Sequence, residues 1–481
     1  YSLHGRTVDG GFAYGFDVGA YDRRVPLVID PVLDVSAGFI GGAGPDRGLG
    51  IEVADDGSVW AVGENGNAAF VAKLSPDGRR LLRLGILAGR AKIAAFDVDV
   101  DPTGAAYVVG GTGANEGSFP IRRGPDLTFN GGNADAFIAK VSPDGTDLVY
   151  AGFIGGAGVD FAEGVAVDAL GRAYVHGPEE SSEATFPTLV GPDLTQNGSW
   201  DAFVLRLKAE PYAADRLSNL DWSGFVGGAG DDIYASGGAV SSGHIGLDGA
   251  GNLYLSGETD SRESTFPDGD GFADLPSWDR TYAGGRDAYV AKIRADGTGL
   301  DYAGYIGGAL DDEGKGMAVD ASGAAYLTGD TQSDPSTFPV KVGPDLRYHG
   351  RDDGFVAKVA PDGRSLEFCG YFGGDDDDSG QGVALGPDGA LYVAGHTEST
   401  EATFPVVGGP DLTHNGPDGG SEAAPEYDAF VGRLKGDVSS ADPRRNWDFL
   451  GYVGGSGIDG AFWIAVDRDG DAWIVGDTAS D

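Results

Sequence analysis

Self-similarity constrains this chain more than any other feature, because three short phrases recur in a fixed order along most of its 481 residues. The first is an apolar run closed by Gly-Gly: AGFIGG at 37–42 and 151–156, SGFVGG at 223–228, AGYIGG at 303–308, CGYFGG at 369–374 and LGYVGG at 450–455, with a degenerate RLGILAG at 83–89. The second sets two apolar runs around a D-x-x-G turn, as at 100–110, 167–177, 247–257, 319–329 and 466–476, and in weaker form at 54–63 and 386–395. Each of these phrases occurs seven times. The third resembles DAFVAK, at 68–73, 135–140, 201–206, 287–292, 353–358 and 428–433, and occurs only six times.

Alternating β-branched and aromatic residues, broken every eight to twelve positions by Gly and Asp, read as strands of a meander. Each unit holds four. Strand A ends in Gly-Gly, B and C flank the D-x-x-G hairpin, and D is DAFVAK. Seven such units predict an all-β fold, a seven-bladed β-propeller of four-stranded antiparallel blades, which buries the faces of neighbouring sheets against one another. The phrase PLVID at 26–30 stands before its Gly-Gly run as DAFVAK does elsewhere, so an N-terminal strand is expected to close the ring. The expected blades are approximately 31–78, 79–145, 146–208, 209–297, 298–363, 364–435 and 436–481, within a domain 26–481. Residues 1–25 then read as the remnant of an upstream module or as a rim strand.

Composition narrows the function classes. The 85 Gly, without a three-residue period, signal many tight turns. Against 75 Asp and Glu stand 33 Lys and Arg, a formal charge of −42. Tracking a nucleic-acid backbone needs the opposite imbalance, so no nucleic-acid partner is expected, and anionic membranes are disfavoured likewise. No stretch approaches 18 consecutive apolar residues, so no membrane insertion is expected. With neither a Met nor a signal region at its start, the chain reads as a mature chain or an excised fragment. The one cysteine, Cys369, excludes an intrachain disulfide and reads as a small buried residue of strand A beside the channel.

Taken together, Y-x-GG, G-x-AVD-x-x-G-x-AYV-x-G, TFP and DAFVAK resemble the seven-bladed β-propeller repeat family abbreviated SBBP, over about residues 25–481. The resemblance implies a bacterial surface or secreted protein, and it implies no particular activity.

Antiparallel order puts the D-x-x-G hairpins and Pro-Asp-Gly turns on one face, where Asp168, Asp248, Asp320 and Asp467 read as turn residues. The other face carries the loops after Gly-Gly and the loops after strand C, the latter about twenty residues long in most units. Its carboxylates Asp231, Asp232, Glu258, Asp311, Asp312 and Asp330 are candidate Ca²⁺ ligands, since that ion takes six to eight hard oxygens. A sharper candidate is D-G-D-G-x-x-D at 268–274, with Asp268, Asp270 and Asp274, although Phe266 stands where such a loop begins with Asp. No organic cofactor is expected. The phenylalanines of the TFP phrases, Phe186, Phe266, Phe338 and Phe404, read as packing between blades, while Trp200, Tyr348, His349, His414 and Asn415 are the candidate binding residues.

The expected function is a non-enzymatic extracellular binding or scaffold module. Its acidic long-looped face meets a glycan, a surface protein or a neighbouring subunit, self-assembly included. The alternative is a carbohydrate-active enzyme, a polysaccharide lyase or glycosidase on the same face, using His176 and His396 at the loop end of strand C.

Overall fold

A four-stranded antiparallel sheet forms wherever a DAFVAK phrase joins a D-x-x-G hairpin to the Gly-Gly strand that follows it. The computed structural model describes residues 2–6, 12–15, 36–41, 45–233, 243–415 and 427–480. The chain divides into two units, Tyr1–Ser36 and Ala37–Asp481. In the first unit, β1 (Ser2–Arg6) pairs antiparallel with β2 (Phe12–Gly15).

The second unit holds six four-stranded sheets. The first comprises β3 (Asp46–Val53), β4 (Val59–Asn65), β5 (Ala68–Leu74) and β6 (Leu81–Leu87). The second comprises β7 (Ile93–Val100), β8 (Ala106–Thr112), β9 (Asp135–Val141) and β10 (Leu148–Ile154). The third comprises β11 (Gly164–Val167), β12 (Ala173–Glu179), β13 (Asp201–Leu207) and β14 (Leu220–Val226). The fourth comprises β15 (Ile245–Leu247), β16 (Leu253–Thr259), β17 (Asp287–Ile293) and β18 (Leu300–Ile306). The fifth comprises β19 (Asp312–Val319), β20 (Ala325–Thr331), β21 (Asp353–Val359) and β22 (Leu366–Phe372). The sixth comprises β23 (Asp378–Leu385), β24 (Leu391–Thr397), β25 (Asp428–Leu434) and β26 (Trp447–Val453). A two-stranded sheet follows, β27 (Asp459–Val466) and β28 (Ala472–Thr478).

The propeller therefore has six blades, not the expected seven. Every third strand is a DAFVAK phrase, and there are six of these, so among the described residues the seventh D-x-x-G hairpin pairs only as β27 with β28. Residues 26–30, expected to close the ring, lie outside the described residues, and residues 36–41 form no strand. The strand frame is corrected too. Each sheet starts at the strand before the D-x-x-G turn and ends with the Gly-Gly strand, as in the pairing of Phe355 with Tyr371. A Pro-Asp-Gly turn makes a hairpin of those two strands, whereas the chain after Gly-Gly leads on to the next sheet. Cys369 accordingly sits in β22, the fourth strand, fully buried but not beside the axis.

Sheets pack face to face, so whole strands are buried, as β8 is from Ala106 to Thr112. One core cluster joins Tyr254, Val290 and Ile306 of the fourth sheet to Met317, Leu327 and Phe355 of the fifth. The hairpin takes part on both sides: Ala461 and Ile464 pack with Tyr392 and Val431 of the sixth sheet, and Ala465 with Ile51 and Val59 of the first. On the hairpin face Asp101 Oδ1 accepts from the amides of Thr103 and Ala105 at 2.9 and 3.2 Å, the Asx turn that the D-x-x-G phrase encodes, and Gly104 supplies the φ of +85°.

The long loops between second and third strands do not stand free. They turn back along the outer edge of the fourth strand, where Asp345 and Tyr371 exchange two backbone hydrogen bonds of 2.9 Å. Asp193 pairs in the same way with Phe225, and Asp411 with Tyr452. The loops thus cover strand edges that open pairing would endanger. In the first sheet this connection is a tight turn at Gly66 and Asn67, and no described residue pairs with the outer edge of β6. Leu81, Leu84 and Ile86 of that strand are each about half exposed.

The TFP phenylalanines fill the space beneath these loops. Phe338 is 3% exposed, with its ring 5.3 Å from that of Phe355 and 5.2 Å from that of Tyr371. Phe338→Ala is expected to lower unfolding stability by about 3–5 kcal/mol, against about 0.5 kcal/mol or less for the exposed Leu346→Ala in the same loop, measured by denaturant unfolding. Equal effects for the two variants would show that the aromatic plug does not hold the loop.

Candidate functional site

At the ring axis the first strands of neighbouring sheets touch backbone to backbone, and one repeat position records it. Gly50, Gly164, Gly316 and Gly382 occupy that position, where a Cβ on Gly316 would lie 2.7 Å from the Cα of Gly382. Three copies depart from glycine: Asp97, His244 and Trp463. These three side chains meet at the axis. The rings of His244 and Trp463 stack with centroids 3.7 Å apart, and His244 Nε2 lies 3.3 Å from Asp97 Oδ2. His244 Nδ1 is 3.2 Å from the carbonyl oxygen of Ile245, so both ring nitrogens are engaged.

Two residues further along, Ala166, Ala318, Ala384 and Ala465 give way to Glu52 and Asp99. Asp97 and Asp99 reach across to the third sheet, accepting from the amides of Val165 at 2.8 Å and Val167 at 2.5 Å. Burial pushes the Asp99 carboxyl up to about 7, and it raises Glu52 well above the carboxylate range, with Asp99 adding to the effect. The axis is thus blocked by a stacked imidazole and indole, with protonatable acids behind them. Among the described residues no hydroxyl or thiol is hydrogen-bonded to the His244 ring.

On the loop side the carboxylates follow a repeated pattern. Asp232, Asp312, Asp378 and Asp459 each accept the amide of the second Gly of Gly-Gly, at 2.6, 2.6, 2.7 and 2.7 Å. Each also accepts a serine hydroxyl, from Ser261, Ser333, Ser399 and Ser480, and a threonine hydroxyl, from Thr259, Thr331, Thr397 and Thr478. A second carboxylate starts each third strand and closes its own loop: Asp201, Asp287, Asp353 and Asp428 accept from the amides of Asn197, Ala283, His349 and Asn415 at 2.7 to 2.9 Å. The first Gly of Gly-Gly lies against this pair, and a Cβ on Gly307 would sit 2.5 Å from Asp287 Oδ1. Burial pushes Asp201, Asp287 and Asp378 up to about 8, and Asp232, Asp312 and Asp353 up to about 7.

The third sheet breaks the pattern. Glu179 stands where the four clamps above have the threonine that donates to the aspartate, here Asp160. Glu179 is fully buried, and no hydrogen bond of good geometry reaches either of its carboxyl oxygens or Asp160 Oδ1. Burial, then the charges of Asp160 and Asp201, push Glu179 up to about 9.

The residues singled out from sequence are dispersed. Asp232 and Asp312 are the saturated clamps described above. Glu258 faces Arg286 at 3.1 Å, Asp311 accepts the Arg286 amide at 3.0 Å, and Asp330 pairs with Lys315. Asp231 donates its own amide to Asp260. Asp268 is half-buried, whereas Asp270 and Asp274 are exposed, and among the described residues no three His, Cys, Asp or Glu side chains are placed to hold one metal ion. His176 and His396 lie in different sheets. His176 is fully buried, neither ring nitrogen has a partner, and burial drives it down to about 3. His396 is driven down to about 4 by burial and then by Lys315, and its ring lies 4.7 Å from that of Tyr427.

Among the candidate binding residues, Trp200 is half-buried and its carbonyl accepts the Asp232 amide at 2.7 Å. Tyr348 packs edge-on against Tyr371 at 5.9 Å. His349 and Asn415 share a repeat position with Asn130 and Asn197, and all four close their own loops. His414 packs against Tyr452 with centroids 5.6 Å apart. Sequence reading missed the axial residues and Glu179. Their signal is departure from the repeat, at a position where most copies keep Gly, Ala or Thr.

Glu179 yields a pH prediction. Its folded form holds a proton that the unfolded chain releases above the ordinary glutamate range, near 4.5, so its contribution to stability falls as pH rises from there to about 9. Glu179→Thr restores the hydroxyl donor and is expected to raise the melting temperature more at pH 8 than at pH 5. Parallel melting profiles for the two proteins across that range would contradict the assignment.

Residues 301–335 match the profile of the family described as Beta-propeller repeat, SBBP. No curated protein matches the chain. Similar solved structures include BamB from Moraxella catarrhalis, at 11% identity over 89% of this chain and 85% of that one with a TM-score of 0.36. They also include the Dos1 propeller, at 7% identity over 89% of each chain with a TM-score of 0.37. A europium-containing methanol dehydrogenase is similar at 10% identity over 90% of this chain and 84% of that one, with a TM-score of 0.38. The chain is a β-propeller, and its segment 301–335 matches the SBBP repeat.

Proposed function

We propose that this propeller is a non-enzymatic binding or scaffold module of a secreted or surface assembly, and that its loop-bearing face receives a neutral or cationic partner. The observation that supports this reading is the exposed acids on the long, variable loops, which the short hairpin turns of the other face, with Asp55, Asp77, Asp144, Asp296, Asp362 and Asp469 exposed, match in number but not in shape. Glu116, Glu180, Glu183, Asp260, Glu263, Asp334, Asp375, Asp376 and Glu401 are all exposed on the loops of that face. None of them belongs to the clamps that hold the loops together. A face with an excess of acids, although Arg123, Arg262 and Arg351 are exposed among them, raises the encounter rate with a cationic surface and disfavours a polyanion. The family resemblance supports the surface location, and burial drives both His176 and His396, the residues a hydrolase or lyase on this face would use, down from the ordinary histidine range.

A paired charge reversal separates a directed face from bulk charge. Glu180→Lys with Asp260→Lys is expected to weaken binding of a nonalysine peptide by about tenfold, while Asp147→Lys with Asp469→Lys on the hairpin face, an equal change in net charge, weakens it about twofold or less. Equal loss in the two double variants would reduce the effect to net charge. Release of reducing or unsaturated sugars from a polysaccharide panel, abolished by His176→Ala or His396→Ala, would overturn the non-enzymatic reading.

A further inference from the structure

Two of the six sheets carry the same insert between their third and fourth strands, and the two copies differ at one decisive position. Residues 208–219 follow β13 and residues 435–446 follow β25, with equal length and no gap. Each ends in a 3-10 turn, Arg216–Asn219 in one and Pro443–Asn446 in the other. Their internal hydrogen bonds correspond: Lys208 N to Asn219 O and Lys435 N to Asn446 O are both 2.9 Å, and the asparagine side chains accept from Ala213 N at 2.8 Å and Ser440 N at 3.0 Å. Each asparagine also docks its insert on the preceding sheet, donating to Pro125 O at 2.8 Å and to Pro344 O at 2.7 Å.

Between each insert and the sheet before it lies a cavity. Next to Arg216 it measures about 10 Å³, and next to Pro443 about 210 Å³. The difference follows from Arg216, whose guanidinium occupies the first site. It donates to Thr185 O at 2.7 Å and Gly155 O at 3.2 Å, and lies 3.6 Å from the Asp126 carboxylate. In the second copy the arginine is replaced by Pro443, which brings no donor and a short ring. The residues that supply the acceptors are kept: Thr403, Gly373 and Asp345 line the open cavity at the same three repeat positions. Even the support of the carboxylate is kept, since His349 Nε2 lies 2.9 Å from Asp345 Oδ2 as Asn130 Nδ2 lies 3.1 Å from Asp126 Oδ2.

We propose that the cavity between the fifth and sixth sheets is a guanidinium site, which takes an arginine side chain from a partner protein. Two carbonyls and a carboxylate at the repeat positions that hold Arg216 in the sister site suit a fork of N–H donors and serve a compact ammonium poorly. A chain with a formal charge of −42 attracts partners that offer such a group. Arg444, beside Pro443, lines the mouth and is exposed, and Arg347 lies 3.4 Å from Asp345 Oδ1 with its side chain 66% exposed. Asp345, His349, Gly373 and Thr403 of the lining belong to loops of the face proposed above, but binding of a single side-chain probe here is read independently of peptide binding to that face.

Titration with N-acetyl-L-arginine methylamide, followed by NMR on the full chain, tests the assignment. One saturable site is expected, with N-acetyl-L-lysine methylamide about tenfold weaker. Agmatine is expected to bind no more tightly than the peptide-like probe, as befits a protein arginine. Pro443→Arg supplies the missing side chain from within and is expected to weaken probe binding by about tenfold or more, and Asp345→Asn to weaken it about fivefold or more. Should Pro443→Arg fail to fold, Arg216→Ala decides: it opens the sister cavity, so a second equivalent of probe is expected to bind and to restore part of the lost melting temperature. No binding by the wild-type chain, equal binding of the arginine and lysine probes, or unchanged stoichiometry in a folded Arg216→Ala variant would each overturn the proposal.

Discussion

Backbone contact at the ring axis governs the rest of this molecule. Sheets that meet there with glycine against glycine diverge outward, so residue size must grow from the first strand to the fourth. The sequence follows this wedge: Gly316 and Gly382 at the centre, Leu327 and Val393 next, and Tyr371 and Tyr452 on the outer strands. Core packing needs filled volume at every radius, and a wedge with aromatics at its wide end meets that need without changing the backbone. Where the wedge still leaves space beneath the loops, Phe186, Phe338 and Phe404 enter it.

Adjacent sheets are also tied by polar contacts. The clamp on Asp312 gathers the amide of Gly308 after β18, the Thr331 hydroxyl at the end of β20 and the Ser333 hydroxyl beyond it, so one carboxylate joins the end of one sheet to two segments of the next. Burial raises Asp232, Asp312 and Asp378 above the ordinary carboxylate range, and the amide and hydroxyl donors around each one work against that rise. The acidity of the chain is therefore of two kinds. Buried acids gather several donors and organise the loops, while exposed ones on the same face cap single loop amides, as Asp260 does for Asp231 and Glu401 for His414.

Much of the architecture was legible because a repeat states its own period. The strand types, the two unlike faces, the Asx turns at Asp101 and its equivalents and the packing role of the TFP phenylalanines all follow from local chemistry. What misled was the grouping of strands. A Gly-Gly run beside a D-x-x-G hairpin in sequence is not its neighbour in a sheet, and only pairing registers such as Phe355 with Tyr371 show which side the strand joins. Counting phrases rather than complete sets of four then gave seven blades where six are complete. The long loops misled for a related reason: Asp345 and Asp411 look like exposed turn residues, yet their backbones pair with Tyr371 and Tyr452. His349 and Asn415 were singled out for their chemistry, although their repeat position ties them to Asp353 and Asp428.

The tight turn at Gly66 and Asn67 gives the first sheet a different local thermodynamics from the others. Elsewhere the amides of the fourth strand are locked by a returning loop, as the Tyr371 amide is by Asp345 O. β6 keeps only its partnership with β5 among the described residues, and its leucines and isoleucine stand half in water. Opening it breaks one ladder instead of two and uncovers little new apolar surface, so β6 forms a local unit of low opening free energy. On the contacts of the described residues, its amide protons should trade with solvent deuterium well before those of β22 or β26, as should those of β28, whose outer edge has no described partner either.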